Sequence, residues 1–540
     1  MAVARLPCRA GVVDCRGPGL EENQISEGSG QLPGLPDRHA RALRLPSQRQ
    51  SPARIARCRS AGTLRLAAAG IVLALTACTT TEHKIPVTAE DLPPRFLAAP
   101  AGTGPIAEQW WTRFGDPRLD QLVNEAVLEN TSVAQAVARV RIAQAQARIA
   151  GAGLLPQVSG GLTARRQRQP ASGVAGLGQL PGLPDGAEAP DAFTITNYAA
   201  TVDVNWELDL WGRISAQNAA ARADFLASTE NLRAVRQSIA AQAVRMYFTV
   251  VEARAQVELA ERTVETVGEV ARQINNRANV GIATPSDRLL ANANLDQARS
   301  LLEQRREALA TLTRQFEVLL RDYPAGSIAT AETLPEVPPP PSTGIPSEIL
   351  LRRPDIAAAE RSLQAAGCRL TAGQRSFLPN LSLTGSAGLA SSDLGDLLDG
   401  GSFIWSIAGA LLQPIFQGGR LRAQVQALEG RREEAVEVYA ETVLNALLEV
   451  ETALAVERYL AQRELALDSA ASAAEGAVQI AFNRYREGID PLLTVLESQQ
   501  RALDSRSAYI AARRARLDNR INLHLALGGG FEDMPISGGG

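Results

Sequence analysis

The chain has 540 residues, a formal net charge of −3 and only 4% aromatic residues. This nearly neutral balance argues against nucleic-acid binding as its function. The three histidines and five cysteines show no metal-ligand spacing, no CxxC pair and no even-numbered disulfide framework. No Ser/His/Asp group emerges either, so the sequence predicts no metal site, no catalytic residue and no enzyme activity.

The first predicted element is an export signal. Arginines precede a ten-residue apolar run at 66–75, which ends in Leu75-Thr76-Ala77-Cys78. This order is typical of a secretory signal peptide, and the run is far shorter than the ~20 residues a membrane-spanning helix needs. The Leu-Thr-Ala-Cys ending resembles a bacterial lipobox, which implies cleavage before Cys78 and a lipid on it. We therefore predict a non-native or disordered extension at 1–53, a lipoprotein signal peptide at 54–77 and a lipidated, Pro/Ala/Thr-rich tether at 78–105. An ordinary signal peptide with a chance cysteine is the alternative.

The next elements are a helix and two strands. Apolar periodicity predicts a helix from Pro117 to about Ala152, and a polar segment at 159–168 follows as a candidate strand. From Tyr198 to Leu210, apolar residues at even positions alternate with mostly polar ones, so one face of a strand is apolar. Its length suits a membrane strand, and Tyr198, Trp206 and Trp211 are predicted at the membrane interfaces. An edge strand of a soluble sandwich remains the alternative.

Two helices complete this half of the chain. Heptad spacing in two series predicts a helix from Gly212 to about Asn276 that packs along its neighbours, and a second helix runs from about Ser286 to Leu320. The two series are Leu232, Ile239 and Met246, and Val250, Val257, Val264 and Ala271. A soluble coiled coil would show the same spacing. Prolines then define a linker at 322–346.

The remaining chain repeats the same plan. Asn276–Ile282 aligns with Asn483–Ile489 at an offset of 207 residues, and Leu154–Ser159 aligns with Phe377–Ser382 at an offset of 223. We therefore predict one repeat at 106–321, a second at 347–528 and a Gly-rich tail at 529–540. The second should hold helices at 347–375, 419–486 and 491–527 and strands at 380–389 and 402–416. The 16 extra residues of the first repeat are expected in its strand–strand loop.

Four strands per chain are too few for a closed membrane barrel. Known barrels begin at eight strands, and an open sheet edge cannot face lipid. Membrane strands would therefore have to be pooled in an oligomer, and three chains would supply 3 × 4 = 12.

Together these features resemble the outer membrane factor family, the TolC-like efflux channels, and within it the NodT-type lipoproteins. The segments that carry the resemblance are spread over most of the chain after Cys78. They are WTRFGDPRLDQL at 111–122, WELDLWGRI at 206–214, GIPSEILLRRPDIAAAE at 344–360, FLPNLSLTGS at 377–386 and RYREGIDPLLTVL at 484–496. The resemblance implies an α+β membrane protein: a homotrimer with a 12-stranded outer-membrane β-barrel, continued by a long periplasmic α-helical barrel.

The resemblance also implies site residues. Cys78 would carry covalent lipid, and Thr79 after it would direct the protein to the outer membrane. The periplasmic gate candidates lie near the turns at Gly281 and Gly488. They are Arg484, Tyr485 and Asp490, which match positions of interhelix bonds, and Glu497 and Asp287, which match acidic positions in the family. Like carboxylates repeated around a threefold axis would favour cations.

The leading hypothesis is a passive exit duct for small molecules in a tripartite efflux system. The partners implied are a periplasmic adaptor, an inner-membrane pump that is proton-driven, and outer membrane lipid, with no nucleic acid. No nucleotide-binding loop of the form GxxxxGK[ST] occurs, and no cofactor is expected apart from the lipid on Cys78. A periplasmic coiled-coil scaffold lipoprotein without a pore is the alternative. The exported substrate is not specified by this chain.

Overall fold

The computed structural model describes residues 92–98, 109–170, 192–341 and 346–529. The predicted extension, the signal peptide, Cys78 and most of the tether lie outside these ranges, as does nearly all of the Gly-rich tail. Within the described residues, no helix is both long and apolar enough to cross a membrane.

The described chain consists of two similar halves. The first half contains α1 (Pro117–Glu129), α2 (Thr131–Ala152), β1 (Gln157–Pro170), β2 (Ala192–Leu208), α3 (Arg213–Asn279) and α4 (Pro285–Leu319). The second half contains α5 (Pro346–Arg352), α6 (Pro354–Arg375), β3 (Asn380–Ser391), β4 (Phe403–Leu412), α7 (Arg420–Arg486) and α8 (Leu492–Ala526). The strands form one antiparallel sheet in the order β1-β2-β3-β4.

The lengths of matching helices confirm the repeat. Helices α2 and α6 each have 22 residues, α3 and α7 each have 67, and α4 and α8 each have 35. The starts of α3 and α7 differ by 420 − 213 = 207 residues, the offset found in the sequence. At 1.5 Å per residue, α3 and α7 are each roughly 100 Å long.

The strand boundaries differ most from the prediction in two places, and every other strand end lies within two residues of its predicted position. Strand β2 begins at Ala192, six residues before Tyr198, because β1 continues to Pro170 and pairs with it along its whole length. Strand β4 ends at Leu412, since Pro414 cannot donate a backbone hydrogen bond. The 16 extra residues are also not confined to the loop: β1 has 14 residues against 12 in β3, and β2 has 17 against 10 in β4.

Two predicted helices are each interrupted once, at equivalent positions. The first ends before Asn130, whose side chain accepts from Ser132 N (2.8 Å) and donates to the Leu319 carbonyl (2.7 Å) at the end of α4. The second is interrupted at Arg353, before Pro354. Arg353 Nη1 donates to the Ala526 carbonyl (3.1 Å) at the end of α8. Different side chains thus satisfy the last carbonyls of equivalent helices, which would otherwise lack a partner.

The buried heptad positions of α3 differ in part from the predicted ones. The predicted residues that are buried are Leu232, Ile239, Val250 and Ala271, whereas Met246, Val257 and Val264 are only half-buried. In this part of the helix the fully buried series with seven-residue spacing is Ala253, Ala260, Val267 and Ile274. Small residues at such positions let neighbouring helices approach closely, which agrees with the alanine-rich composition of the helices.

The proline-rich linker is packed against the helices. The Tyr247 hydroxyl on α3 donates to the Asp116 carboxylate and accepts from Ala331 N (2.9 Å). The buried carboxylate of Glu317 accepts from Gly326 N and Ser327 N, both at 2.6 Å. The connection between the halves therefore belongs to the folded core and is not a loose spacer.

His524 lies in this core, stacked on Trp110 with ring centroids 5.2 Å apart. It is 1% exposed. Burial lowers the pKa of His524 to about 3, helped by the charges of Arg113 and Arg520. The histidine of the unfolded chain takes up its proton near pH 6.5, so the neutral ring stabilises the fold fully above that pH and progressively less as pH falls.

We therefore expect acid to destabilise the protein partly through His524. At pH 5 the loss from this group is about 2 kcal/mol relative to neutral pH. Thermal unfolding of wild type and His524→Phe at pH 7.5 and pH 5 measures it: the variant should lose less stability between the two values. An equal loss in both proteins would contradict a buried neutral histidine.

A glycine on β3 sets the distance between two strands. A Cβ at Gly388 would lie 2.1 Å from the Ala200 carbonyl oxygen and 2.7 Å from Thr201 Cα, both backbone atoms of β2. We expect Gly388→Ala to destabilise the folded protein by about 1–3 kcal/mol, because β2 and β3 must move apart to make room for the methyl group. Gly385→Ala is the matched control, since its Cβ would meet only the Ser406 carbonyl at 3.9 Å. Equal thermal midpoints for the two variants would refute the constraint.

Candidate functional site

Two equivalent turns join each long helix to the short helix that follows. Gly281 and Gly488 have φ values of 75° and 77°, in the left-handed region that favours glycine. Ile282 N donates to the Arg277 carbonyl (2.8 Å), and Ile489 N donates to the Arg484 carbonyl (2.9 Å). Both turns thus close the preceding helix with the same Schellman hydrogen bonds. All the predicted gate candidates lie at or near these turns.

The second turn is closed by an ion pair. Arg484 Nε donates to Asp490 Oδ2 (2.7 Å), and Arg484 Nη2 donates to Asp490 Oδ1 (3.0 Å). The Arg484 guanidinium lowers the pKa of Asp490, so the carboxylate remains charged at neutral pH. The first turn has Ala283 at the position equivalent to Asp490. This ion pair therefore belongs to one turn only.

Tyr485 connects the two turns. The guanidinium carbon of Arg277 lies 5.4 Å from the centroid of the Tyr485 ring, and Arg277 Nη1 donates to the Arg486 carbonyl (3.2 Å). The first contact is a cation–π interaction, and the second satisfies a carbonyl at the end of α7. Burial raises the pKa of Tyr485, and the charge of Asp287 adds to the rise. The tyrosine is therefore neutral at physiological pH.

An apolar cluster lies behind these polar contacts. Tyr485 and Leu496 pack against this cluster, whose buried members come from all four helices that meet at the turns. The buried members are Val270, Ala271, Ile274, Ala291, Ala481, Leu492 and Val495. The cluster holds the two helical hairpins together, so the polar contacts at the turns act on hairpins that are already in contact.

The two other acidic candidates are placed differently. Asp287 forms a capping box with Thr284 at the start of α4: its carboxylate accepts from Thr284 N, and its own N donates to Thr284 Oγ1, both at 3.1 Å. Glu497 is exposed on α8. A local capping role for Asp287 is therefore visible in one chain, and the lumen-facing carboxylate ring stays a prediction.

Sequence reasoning did not single out Arg277. The signal was present, because the offset of 207 residues aligns Arg277 with Arg484. The alignment does not show that the two arginines have different partners. Arg484 pairs within its own turn, whereas Arg277 reaches the other hairpin.

The sheet has one apolar and one polar face. In register across β2, β3 and β4, Val202, Ala387 and Trp405 share one face, whereas Asp203, Ser386 and Ser406 share the other. In the isolated chain the apolar face is largely exposed, with Leu162 86%, Val202 52% and Ile407 78% accessible. Two exposed aromatic residues on it, Phe403 and Trp405, were not predicted.

The three predicted interface aromatics lie along and just beyond β2. Trp206 Nε1 donates to the Leu154 carbonyl (3.0 Å), and Trp211 Nε1 donates to the Pro379 carbonyl (2.7 Å), so both tie strand-to-helix junctions together. Tyr198 shares the apolar face at the other end, opposite Ala164 and Ser391. Their contact with a membrane interface stays a prediction.

A sheet with an exposed apolar face, joined to paired helices about 100 Å long, defines the class of outer membrane export channels. The family model for outer membrane efflux proteins matches residues 122–320 and 345–529. The chain belongs to this family, a family of outer membrane channels of efflux systems, and it is an outer membrane protein whose helices extend into the periplasm.

Several relatives share most of its length. The chain is 33% identical to the outer membrane protein OprJ of Pseudomonas aeruginosa, over 78% of this chain and 86% of OprJ. It is 31% identical to the toluene efflux pump outer membrane protein TtgC of Pseudomonas putida, over 79% and 86%. Among solved structures, the channel VceC of Vibrio cholerae is 26% identical, covers 79% of this chain and 100% of its own, and superposes with a TM-score of 0.69.

Proposed function

We propose that three copies of this chain form a closed duct across the outer membrane. The observation that carries the proposal is the sheet, whose two edge strands, β1 and β4, have no partner among the described residues. Unpaired edges cannot face lipid, and pairing β4 of one copy with β1 of the next removes all of them. Helix α7 supports the same arrangement, because Leu444, Leu448 and Leu465 are 56%, 62% and 71% exposed in one chain.

The duct would be a passive exit for small molecules. A periplasmic adaptor and an inner-membrane, proton-driven pump would supply the substrate and the energy. Named relatives include outer membrane components of toluene and antibiotic efflux pumps and of pyoverdine export. These substrates differ widely, so the choice of substrate is assigned to the pump.

The turns of the two hairpins would close the periplasmic end. Arg277 links them through the Tyr485 ring and the Arg486 carbonyl, and Arg484 with Asp490 stiffens the second turn. Opening would separate the hairpins and break the contacts of Arg277 with the Tyr485 ring and with the Arg486 carbonyl. Glu497, together with Asp287, would form the acidic ring that favours cations.

The chain would also be attached by lipid at Cys78. The segment nearest to it in the structure, residues 92–98, is firmly docked: Phe96 is buried, and the Glu451 carboxylate accepts from Leu97 N (2.8 Å) and Ala98 N (3.0 Å). The 18 residues from Cys78 to Phe96 span at most about 65 Å when fully extended. Mass spectrometry of the mature amino terminus tests this: an acylated Cys78 is expected, and an unmodified one would refute it.

Negative-stain electron microscopy of the detergent-purified mature protein tests the duct. We expect hollow cylinders longer than about 100 Å, since each long helix alone reaches that length, with threefold end views. Compact particles or thin solid rods would contradict a trimeric duct and would favour the scaffold lipoprotein.

A further inference from the structure

Strand β1 carries three arginines near one end. Arg165, Arg166 and Arg168 are exposed, and β1 contains no acidic residue. The β2 segment that pairs with them, residues 194–197, has none either. Within the described chain none of the three forms an ion pair. The β3–β4 loop at the same end of the sheet carries Asp393, Asp396 and Asp399, but none of them pairs with these arginines among the described residues. The positive charge of β1 is therefore unpaired within the described chain.

The register separates the arginines by face. Ala164 is opposite Tyr198, Arg166 is opposite Thr196 and Arg168 is opposite Thr194. Because side chains alternate, Arg166 and Arg168 lie on the face that carries Tyr198 and Val202, the apolar face. Arg165 lies on the opposite, polar face. Arg165 and Arg166 are therefore neighbours in sequence, but their side chains lie on opposite faces of the sheet.

The positions along the strand fit the edge of a membrane. The apolar face of β2 runs from Leu208 to Tyr198, which is roughly 33 Å at ~3.3 Å per residue. With the usual strand tilt this gives about 25 Å, the height of the apolar band of an outer-membrane barrel. Arg166 and Arg168 follow two and four residues beyond Tyr198. They lie at the end of the sheet opposite to the joins with α2 and α3.

We propose that Arg166 and Arg168 bind phosphate-bearing lipid headgroups in the membrane leaflet away from the helices. This rests on the proposed function, in which the sheet crosses the outer membrane. Guanidinium groups bind phosphate oxygens in a bidentate way, and the apolar face directly below holds the acyl chains of the same lipid. The trimer would carry three such pairs of arginines. Pairing between neighbouring copies uses only backbone atoms of the strand edges, so the arginine side chains would stay on the outward, lipid-facing side of the sheet.

The test is the binding of fluorescent diphosphorylated lipid A to the detergent-purified mature protein in mixed micelles. An arginine near an anionic lipid surface contributes roughly fivefold in affinity, so Arg166→Gln with Arg168→Gln should weaken binding by about 25-fold. Arg165→Gln removes the same charge from the other face and should change the affinity by less than about twofold. Dephosphorylated lipid A should bind all the proteins equally weakly.

Three outcomes would overturn the proposal. Equal weakening by Arg165→Gln and by the double variant would indicate general charge attraction. Displacement of the lipid by inorganic phosphate at equal phosphate concentration would indicate a free-anion site. Unchanged binding in the double variant would show that the arginines have other partners, for example Asp185, Glu188 and Asp191 of the neighbouring segment.

Channel conductance, measured on the same preparations, separates this proposal from the proposed function. Wild type and the double variant should conduct equally in planar bilayers. If wild type conducts but lipid binding does not depend on Arg166 and Arg168, only the headgroup site fails. If wild type neither conducts nor forms trimers, the duct itself fails.

Discussion

Replacing Tyr485 and Asp490 together by alanine should raise single-channel conductance several-fold. The Tyr485 change removes the ring that Arg277 contacts across the two hairpins, and the Asp490 change releases Arg484 from its turn. A cation–π contact at an exposed site contributes about 0.5–1 kcal/mol, so three copies favour the closed end by on the order of 10- to 100-fold. Recordings of the purified protein in planar bilayers measure the change.

Two control variants make this result specific. Arg277→Ala alone should reproduce much of the increase, because the arginine makes both cross-hairpin contacts. Arg299→Ala should have no effect, since among the described residues Arg299 pairs only with Asp296, on the exposed surface of the same helix, α4. Unchanged conductance in correctly folded Tyr485/Asp490 variants would remove these residues from the gate.

Glu457→Gln should destabilise the protein more than any surface substitution. The Glu457 carboxylate accepts from Arg520 Nη2 (2.9 Å), Arg516 Nε (3.0 Å) and Asn519 Nδ2 (3.2 Å). Arg520 is 1% exposed and has no other hydrogen-bond partner among the described residues. Neutralising Glu457 leaves a buried positive charge unpaired, which costs about 3 kcal/mol or more. Thermal unfolding at a fixed protein concentration measures the loss.

A second substitution shows whether the unpaired charge is the cause. Arg520→Met in the Glu457→Gln background should recover much of the stability, because a buried pair can often be replaced by apolar groups at little cost. Glu475→Gln breaks a bidentate pair with Arg506, whose side chain is 27% exposed against 47% for Glu475, and it should cost less than about 1 kcal/mol. If Glu475→Gln and Glu457→Gln cost the same, burial of Arg520 does not decide the effect.

The helix boundaries were predictable because local residues determine them. Proline starts α1, as the sequence predicted, and Pro285 starts α4 one residue before the predicted start at Ser286. Glycines with positive φ follow the ends of α3 and α7. These are properties of single residues and of their immediate neighbours. The alternation along β2 was equally local, although it did not predict how far pairing with β1 would extend the strand. The length of β2 depends on its partner strand β1, which lies on the other side of the preceding loop.

The candidate site was predictable only in part. The resemblance and the repeat directed attention to the two turns, and Arg484 and Asp490 were found paired there. Arg277 was overlooked, because its partners Tyr485 and Arg486 lie more than 200 residues away in the chain. The capping role of Asp287 was readable in principle from Thr284 three residues earlier.

The sequence by itself determined the duplication, the order of the elements and the apolar face of the sheet, because repeats and periodicity are written in the chain. Only the tertiary structure decided which heptad positions of α3 are buried. It also decided that Asn130 and Arg353 complete the ends of α4 and α8, and that Arg520 is enclosed beside Glu457. These outcomes depend on which helices pack together and at what distance. Such packing brings together residues that local periodicity cannot relate.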